Sequence, residues 1–84
     1  MEWDDLRMVL ALEQHGTLSA AARVLGVSHT TVARRLERLE GALGARLFVK
    51  QPDGWRVTLH GRQVAVRAAS MAAEVDALRL DDLT

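Results

Sequence analysis

Apolar residues recur at helical spacing over the first 26 residues, and this pattern predicts two helices. Asp4 or Asp5 is expected to cap the first helix, which should end at Gly16, since glycine readily adopts the left-handed backbone of a helix C-terminus. The second helix is short, reads LSAAARVL, and would be capped by Thr17 or Ser19 and ended by the glycine that follows. Its three consecutive alanines keep it thin, so that another helix can pack closely against it.

A third helix is predicted from Ser28, which can cap it, to Gly44, which ends it. Its apolar residues are four, three and four positions apart and therefore share one helix face. They are Val32, Leu36, Leu39 and Leu43. The second and third helices are joined by a Gly-Val-Ser turn, with the small Ala22 four positions before the glycine. Two helices with such a turn are typical of a helix-turn-helix.

The apolar pattern changes after residue 46. Residues 47–50 and 55–58 are short runs of β-forming type, and the Gln-Pro-Asp-Gly sequence between them favours a hairpin turn. Thr58 can then cap a long helix that runs to about Leu80. The sequence therefore predicts a mainly α fold, a winged helix-turn-helix with three helices and a two-stranded β-hairpin wing, followed by a long linker helix. The expected domains are 1–59 for the winged part and 60–84 for the linker helix.

The chain has no net charge, but its charges are unevenly distributed. Residues 1–22 and 68–84 each carry a net charge of −3. Residues 23–67 hold nine cations, eight of them arginine, against three carboxylates, which gives a local charge of +6. Because the arginine fork suits phosphates and guanine edges, this basic centre indicates a nucleic-acid partner.

No residue pattern in the sequence predicts a catalytic site, a metal site or a cofactor. Cysteine is absent, the three histidines have no partner at ligand spacing, and no nucleophile–base pair or glycine-rich phosphate loop can be assembled. No apolar run approaches the roughly 20 residues of a membrane span. The N-terminus is acidic where a signal peptide would be basic, so a cytoplasmic protein without a membrane partner is expected.

In a helix-turn-helix the second helix inserts its N-terminal part into the major groove of double-stranded DNA. The expected DNA contacts are Ser28, His29, Thr30, Thr31, Ala33, Arg34, Arg35 and Arg38 on the third helix, with Lys50 and Arg56 on the hairpin. Arg35 and Arg38 lie further along the helix and suit phosphates better than bases. The alternatives are a solvated basic face, a bystander role for His29 and a solvated Lys50. Trp55 is expected to pack on its own domain.

The last predicted helix carries a narrow apolar seam with steps of four, three, four and three residues. Its members are Val64, Ala68, Met71, Val75 and Leu78. This spacing is typical of helix–helix pairing, so we expect a homodimer interface there. The alternative is packing on the chain's own first helix, which could use part of the seam but hardly its far end.

Residues 3–61 resemble the N-terminal domain of LysR-type transcriptional regulators. The run from WDDLRMVLALEQHG to LGARLFVK follows that family's pattern without a gap, and VTLHG matches its Leu-Thr-x-x-Gly lead into a linker helix. By resemblance, Arg34 matches the family's arginine, and Leu39 and Glu40 match its Leu-Glu pair. His29 and Ala33 depart from the glutamine and serine frequent in the family, so the resemblance implies no particular DNA sequence.

The resemblance implies a DNA-binding domain of a bacterial transcription regulator. The third helix would enter the major groove, the wing would lie near the minor groove or backbone, and the linker helices of two subunits would pair on a dyad-symmetric operator. A larger effector-binding domain normally follows in this family, so we expect this chain to be a fragment and a small-molecule effector to bind only the missing domain. A protein-binding winged helix and a different winged-helix regulator family are the competing interpretations.

Overall fold

The computed structural model describes residues 1–82, and the side chains through residue 79. The elements in chain order are α1 (Trp3–His15), α2 (Leu18–Leu25), α3 (His29–Leu43), β1 (Phe48–Gln51), β2 (Gly54–Val57) and α4 (Leu59–Asp82). The two strands pair as an antiparallel hairpin. The predicted mainly α, winged helix-turn-helix fold is therefore confirmed, with each strand displaced by about one residue from its predicted position.

The helix-turn-helix forms where the local sequence favours it. The Thr17 hydroxyl caps α2 by accepting the Ala20 N–H at 3.1 Å, and the Ser28 hydroxyl caps α3 by accepting the Thr31 N–H at 3.2 Å. Gly26 between the two helices has a φ of 72°, which side-chain-bearing residues rarely adopt. The turn thus depends on one glycine and one serine, as predicted.

Helix α1 begins differently from the prediction. Neither Asp4 nor Asp5 caps it, because the helix begins at Trp3 with Glu2 as its N-cap. Asp5 lies in the first turn, where its Oδ2 accepts the Glu2 N–H at 3.0 Å as one half of a capping box. Glutamate is less common at the N-cap than Ser, Thr, Asp or Asn. The sequence pattern therefore predicted the start of α1 about one turn too late.

The core lies where α1, α2 and α3 meet the hairpin and the first half of α4. Its largest fully buried side chains are Phe48, Met8, Leu12, Leu39, Leu47, Val9 and Val32. The predicted stripe of α3 contributes three residues to the core, whereas its fourth member, Leu43, is exposed. The apolar packing of α3 against the domain is therefore confined to one face.

The first half of α4 shares this core. Ala65 is buried, Val64 packs against the buried cluster, and α4 packs along α1. Ala68, which is expected in the dimer seam, is 0% exposed within a single chain, so its own chain already covers it. Tertiary packing has thus used part of the seam that the spacing assigned to a second subunit.

Gly61 marks the closest approach of α4 to the hairpin. A Cβ at this position would lie 2.0 Å from the Leu47 carbonyl oxygen and 2.8 Å from Val57 Cγ2. Thr58 fixes the same corner, since its hydroxyl accepts the Gly61 N–H at 3.0 Å and donates to the Arg46 carbonyl at 2.6 Å. A side chain at position 61 would therefore require the backbone around Leu47 to move.

A single buried carboxylate joins α1 to α3. Asp5 is 3% exposed, and its Oδ1 accepts a hydrogen bond from Arg38 Nη2 at 3.2 Å. Burial alone would raise the pKa of Asp5, but the hydrogen bonds from the Glu2 amide and the Arg38 guanidinium outweigh burial and hold this pKa below its ordinary value. The carboxylate is therefore charged in the folded domain.

We expect Gly61→Ala to lower the free energy of unfolding by about 1–3 kcal/mol, because backbone atoms must move to admit the methyl group. Gly41→Ala is the matched control, since Gly41 lies inside α3 with no atom within 4 Å of an added Cβ. That change should stabilise the domain by up to about 1 kcal/mol. Urea unfolding of the three proteins measures both effects. Equal stability of Gly61→Ala and the wild type would contradict the close approach.

We expect Asp5→Asn to lower the free energy of unfolding at pH 7 by about 1–3 kcal/mol. Because the folded-state pKa is depressed, the charged carboxylate stabilises the fold fully above its unfolded pKa of about 3.9 and loses this effect as pH falls through the folded value. The difference from the wild type should therefore shrink below about pH 4. Asp4→Asn, at an exposed position, is the control, with a change within about 0.5 kcal/mol. A difference that stays constant down to pH 3 would disprove this account.

Candidate nucleic-acid interface

The outer face of α3 is exposed to solvent. Thr30 and Arg34 are exposed there, opposite the buried stripe, and His29 is exposed at the first position of the helix. Ser28 and Thr31 also lie at this end, but their hydroxyls are 2.9 Å apart and both take part in the helix cap. These two residues therefore form the N-terminal cap of α3. The side chains of His29, Thr30 and Arg34 are exposed near this cap.

Ala33, Arg35 and Arg38 flank this outer face on its two sides. Ala33 is half-buried in an open cleft between α3 and the hairpin, which Trp55 also lines. Arg35 is half-buried and Arg38 exposed, and both line a shallow depression beside the N-terminus of α1. Ala33 thus lies on the hairpin side of α3, and Arg35 and Arg38 lie on the α1 side, where Arg38 is also paired to Asp5.

The hairpin presents its two cations to solvent beside α3. In the strand register, Lys50 lies opposite Trp55, and Val49 lies opposite Arg56. Lys50 and Arg56 are exposed, whereas Trp55 is partly buried and packs against the core. The prediction that Trp55 packs on its own domain is confirmed.

The hairpin is held against the turn between α1 and α2. The Trp55 N–H donates a hydrogen bond to the Gly16 carbonyl oxygen at 2.8 Å. A Cβ at Gly54 would lie 2.8 Å from the same oxygen, and the φ of Gly54 is 139°. A backbone hydrogen bond therefore attaches the hairpin to this turn, and the close approach leaves no room for a side chain at position 54.

Glu40 connects α3 to the base of the hairpin, a role that sequence reasoning missed. Its Oε2 accepts the N–H groups of Leu47 at 2.7 Å and Phe48 at 3.3 Å, and it lies 3.7 Å from Arg46 Nε. This single carboxylate oxygen orients the hairpin relative to α3. The available signal was a glutamate directly after Leu39 at the edge of the apolar stripe, where a solvated charge is otherwise expected.

A metal-binding cluster and a membrane-spanning helix are both absent from the described residues. Among residues 1–79, no group of three or more His, Asp or Glu side chains is placed to hold a metal ion. No described helix has the length and apolarity needed to cross a membrane. The arrangement that stands out is a basic, arginine-rich surface on α3 and the hairpin.

Comparison with known proteins identifies this arrangement. The family model described as "Bacterial regulatory helix-turn-helix protein, lysR family" matches residues 3–62. The chain is 54% identical over 56 residues to the Mau operon transcriptional activator of Paracoccus denitrificans, covering 67% of this chain and 19% of that protein. It is 42% identical over 80 residues to the small neutral protease regulatory protein of Streptomyces coelicolor, covering 90% of this chain and 25% of that protein.

The fold has a close match among solved structures. The crystal structure of the CbnR_DBD–DNA complex superposes with a TM-score of 0.85 and 28% sequence identity, covering 98% of this chain and 93% of that one. The chain thus matches an isolated DNA-binding domain along nearly its whole length, while it spans only about a fifth to a quarter of the two curated relatives. This chain belongs to the lysR family of bacterial regulatory helix-turn-helix proteins and is the helix-turn-helix DNA-binding domain of a transcription regulator, not an enzyme.

Proposed function

We propose that this domain binds a dyad-symmetric DNA operator as a homodimer, with α3 in the major groove and the hairpin near the minor groove or backbone. The observation that carries the proposal is the exposed outer face of α3, with Thr30 and Arg34 opposite the buried stripe. An α-helix fits the major groove, and the first turns of a recognition helix reach the base edges. The domain would serve to control transcription in the bacterial cytoplasm.

Individual side chains divide between reading bases and holding the backbone. The Arg34 guanidinium can donate two hydrogen bonds to one guanine edge, and the Ala33 methyl can meet a thymine methyl. His29 at the first position of α3 is a further base contact. Arg35 on α3 and Lys50 and Arg56 on the hairpin suit phosphates, which position the domain without reading sequence.

The uneven charge of the chain supports the same partner. The +6 charge of residues 23–67 includes every cation of α3 and the hairpin, whereas both ends of the chain are acidic. Phosphates would therefore attract the basic surface formed by α3 and the hairpin. A neutral protein can in this way bind DNA in one orientation.

Dimerisation is proposed through the exposed far half of α4. Met71 is 45% exposed and Leu78 65% exposed, and these residues lie seven positions apart on one side of the helix. Val75 between them is half-buried beside Trp3, and Val64 packs on the chain's own core. The seam available to a second subunit therefore consists of Met71 and Leu78, with Val75 at its edge.

Regulation is proposed to involve a further domain of the full-length protein. The curated relatives are several times longer than this chain, which matches only about a fifth to a quarter of each. A small-molecule effector would bind that further domain. We propose that residues up to Ala68 form the DNA-binding unit, since α4 shares its core that far, and that the rest of α4 links the unit to its partner.

We expect Arg34→Ala to weaken binding to a site selected from random-sequence DNA by at least tenfold. Each bidentate base contact contributes about 1–3 kcal/mol, and a dimer loses two of them. Arg7→Ala is the matched control, because Arg7 is an exposed arginine on α1 that pairs only with Asp4 among the described residues. Mobility shift gives the affinities and circular dichroism verifies the fold. Wild-type affinity in a folded Arg34→Ala protein would rule out α3 as the reading element.

We expect the double change Met71→Glu and Leu78→Glu to convert the dimer into a monomer. Burial of each apolar side chain contributes about 1.5–3 kcal/mol per subunit, and the new carboxylates would repel one another across the two-fold axis. Light scattering measures the mass in solution.

Val66→Glu provides the matched control for this experiment. Val66 is 64% exposed on α4 but lies on another side of the helix from Met71 and Leu78. This variant should remain dimeric. A dimer that persists in the double variant would place the interface elsewhere, with α1 around Trp3 and Leu6 as the next surface to test.

A further inference from the structure

The ion pair between Asp5 and Arg38 joins a buried acceptor to an exposed donor. Both carboxylate oxygens of Asp5 are used: Oδ2 accepts the Glu2 N–H at 3.0 Å, and Oδ1 accepts from Arg38 Nη2 at 3.2 Å. The Arg38 side chain is 67% exposed. One end of the pair is therefore fixed inside the domain, while the other reaches the surface of α3.

This geometry leaves most of the guanidinium available. A guanidinium has five N–H donors in a planar fork, and a single one, on Nη2, bonds to Asp5. Arg38 also follows Arg34 by four residues, which places it one turn further along the same side of α3. The open donors of Arg38 therefore lie next to the exposed surface that carries Arg34.

We propose that Asp5 is a positioning residue for DNA binding: it holds one edge of the Arg38 guanidinium so that the remaining donors meet a DNA phosphate. This inference rests on the proposed function. A long, exposed arginine ordinarily loses rotamer freedom when it binds a phosphate. Arg38 has already lost part of this freedom in the free domain, because a buried carboxylate fixes its tip.

The role of Asp5 predicts an effect opposite to simple electrostatics. Removing an acidic residue from a DNA-binding domain normally strengthens binding, because repulsion from the phosphates decreases. If Asp5 positions Arg38, Asp5→Asn must instead weaken binding although it makes the domain more positive. Asp4→Asn is the matched control, since it removes the same charge one residue away and breaks only an exposed pair with Arg7 on α1.

The experiment measures the affinity of the domain for a site selected from random-sequence DNA, by fluorescence anisotropy over a range of salt concentrations. We expect Asp5→Asn to bind about threefold to tenfold more weakly than the wild type, and Asp4→Asn to bind equally or more tightly. Arg38→Gln should reduce the slope of log K against log salt by about 0.9 per subunit. Within the Arg38→Gln protein, adding Asp5→Asn should change the affinity by less than twofold.

Two results would overturn the inference. The first is binding by folded Asp5→Asn that equals or exceeds that of Asp4→Asn. The second is an unchanged salt slope in Arg38→Gln, which substitutes an exposed position and tests the phosphate contact even if Asp5→Asn fails to fold. Failure of the wild-type domain to select any DNA site would instead overturn the proposed function, and with it this inference.

Discussion

The apolar stripe of Val32, Leu36 and Leu39 holds α3 to the rest of the domain through one face. A domain of this size buries only about 60–65% of its unfolded surface, so it has too little core to enclose a 15-residue helix. The opposite face must therefore remain in water. Because this face remains in water, α3 is accessible to a partner. Polar contacts are then needed to hold those parts of α3 that the core does not contact.

Three such contacts are distributed along α3. Ser28 caps its start, Asp5 bonds to Arg38 in its middle, and Glu40 near its end joins it to the hairpin. The second and third contacts link α3 to α1 and to the hairpin, so polar groups tie these three elements together. A rigid arrangement of this kind reduces the conformational entropy lost when the surface binds another molecule.

The sequence predicted those features that depend on local signals. Thr17, Ser28 and Thr58 cap helices over three residues, and the hairpin turn is equally local. The contacts made by Asp5 and Glu40 span 33 and 7 residues and leave no periodic pattern; of the two, only Glu40 had a weak local signal, its position directly after Leu39. The predicted seam on α4 is divided between residues that the chain itself buries and residues that stay exposed. Spacing shows which residues share a helix face but does not show which neighbour covers that face.

In the proposed complex, DNA meets the outer face of α3 and the hairpin. Titration of the ¹⁵N-labelled domain with a short duplex of its selected site, followed by amide chemical-shift changes, tests this claim most directly. We predict the largest changes at residues 28–38 and 50–56, with small changes in the last three turns of α4. Changes concentrated on α1 and the far half of α4 would contradict it.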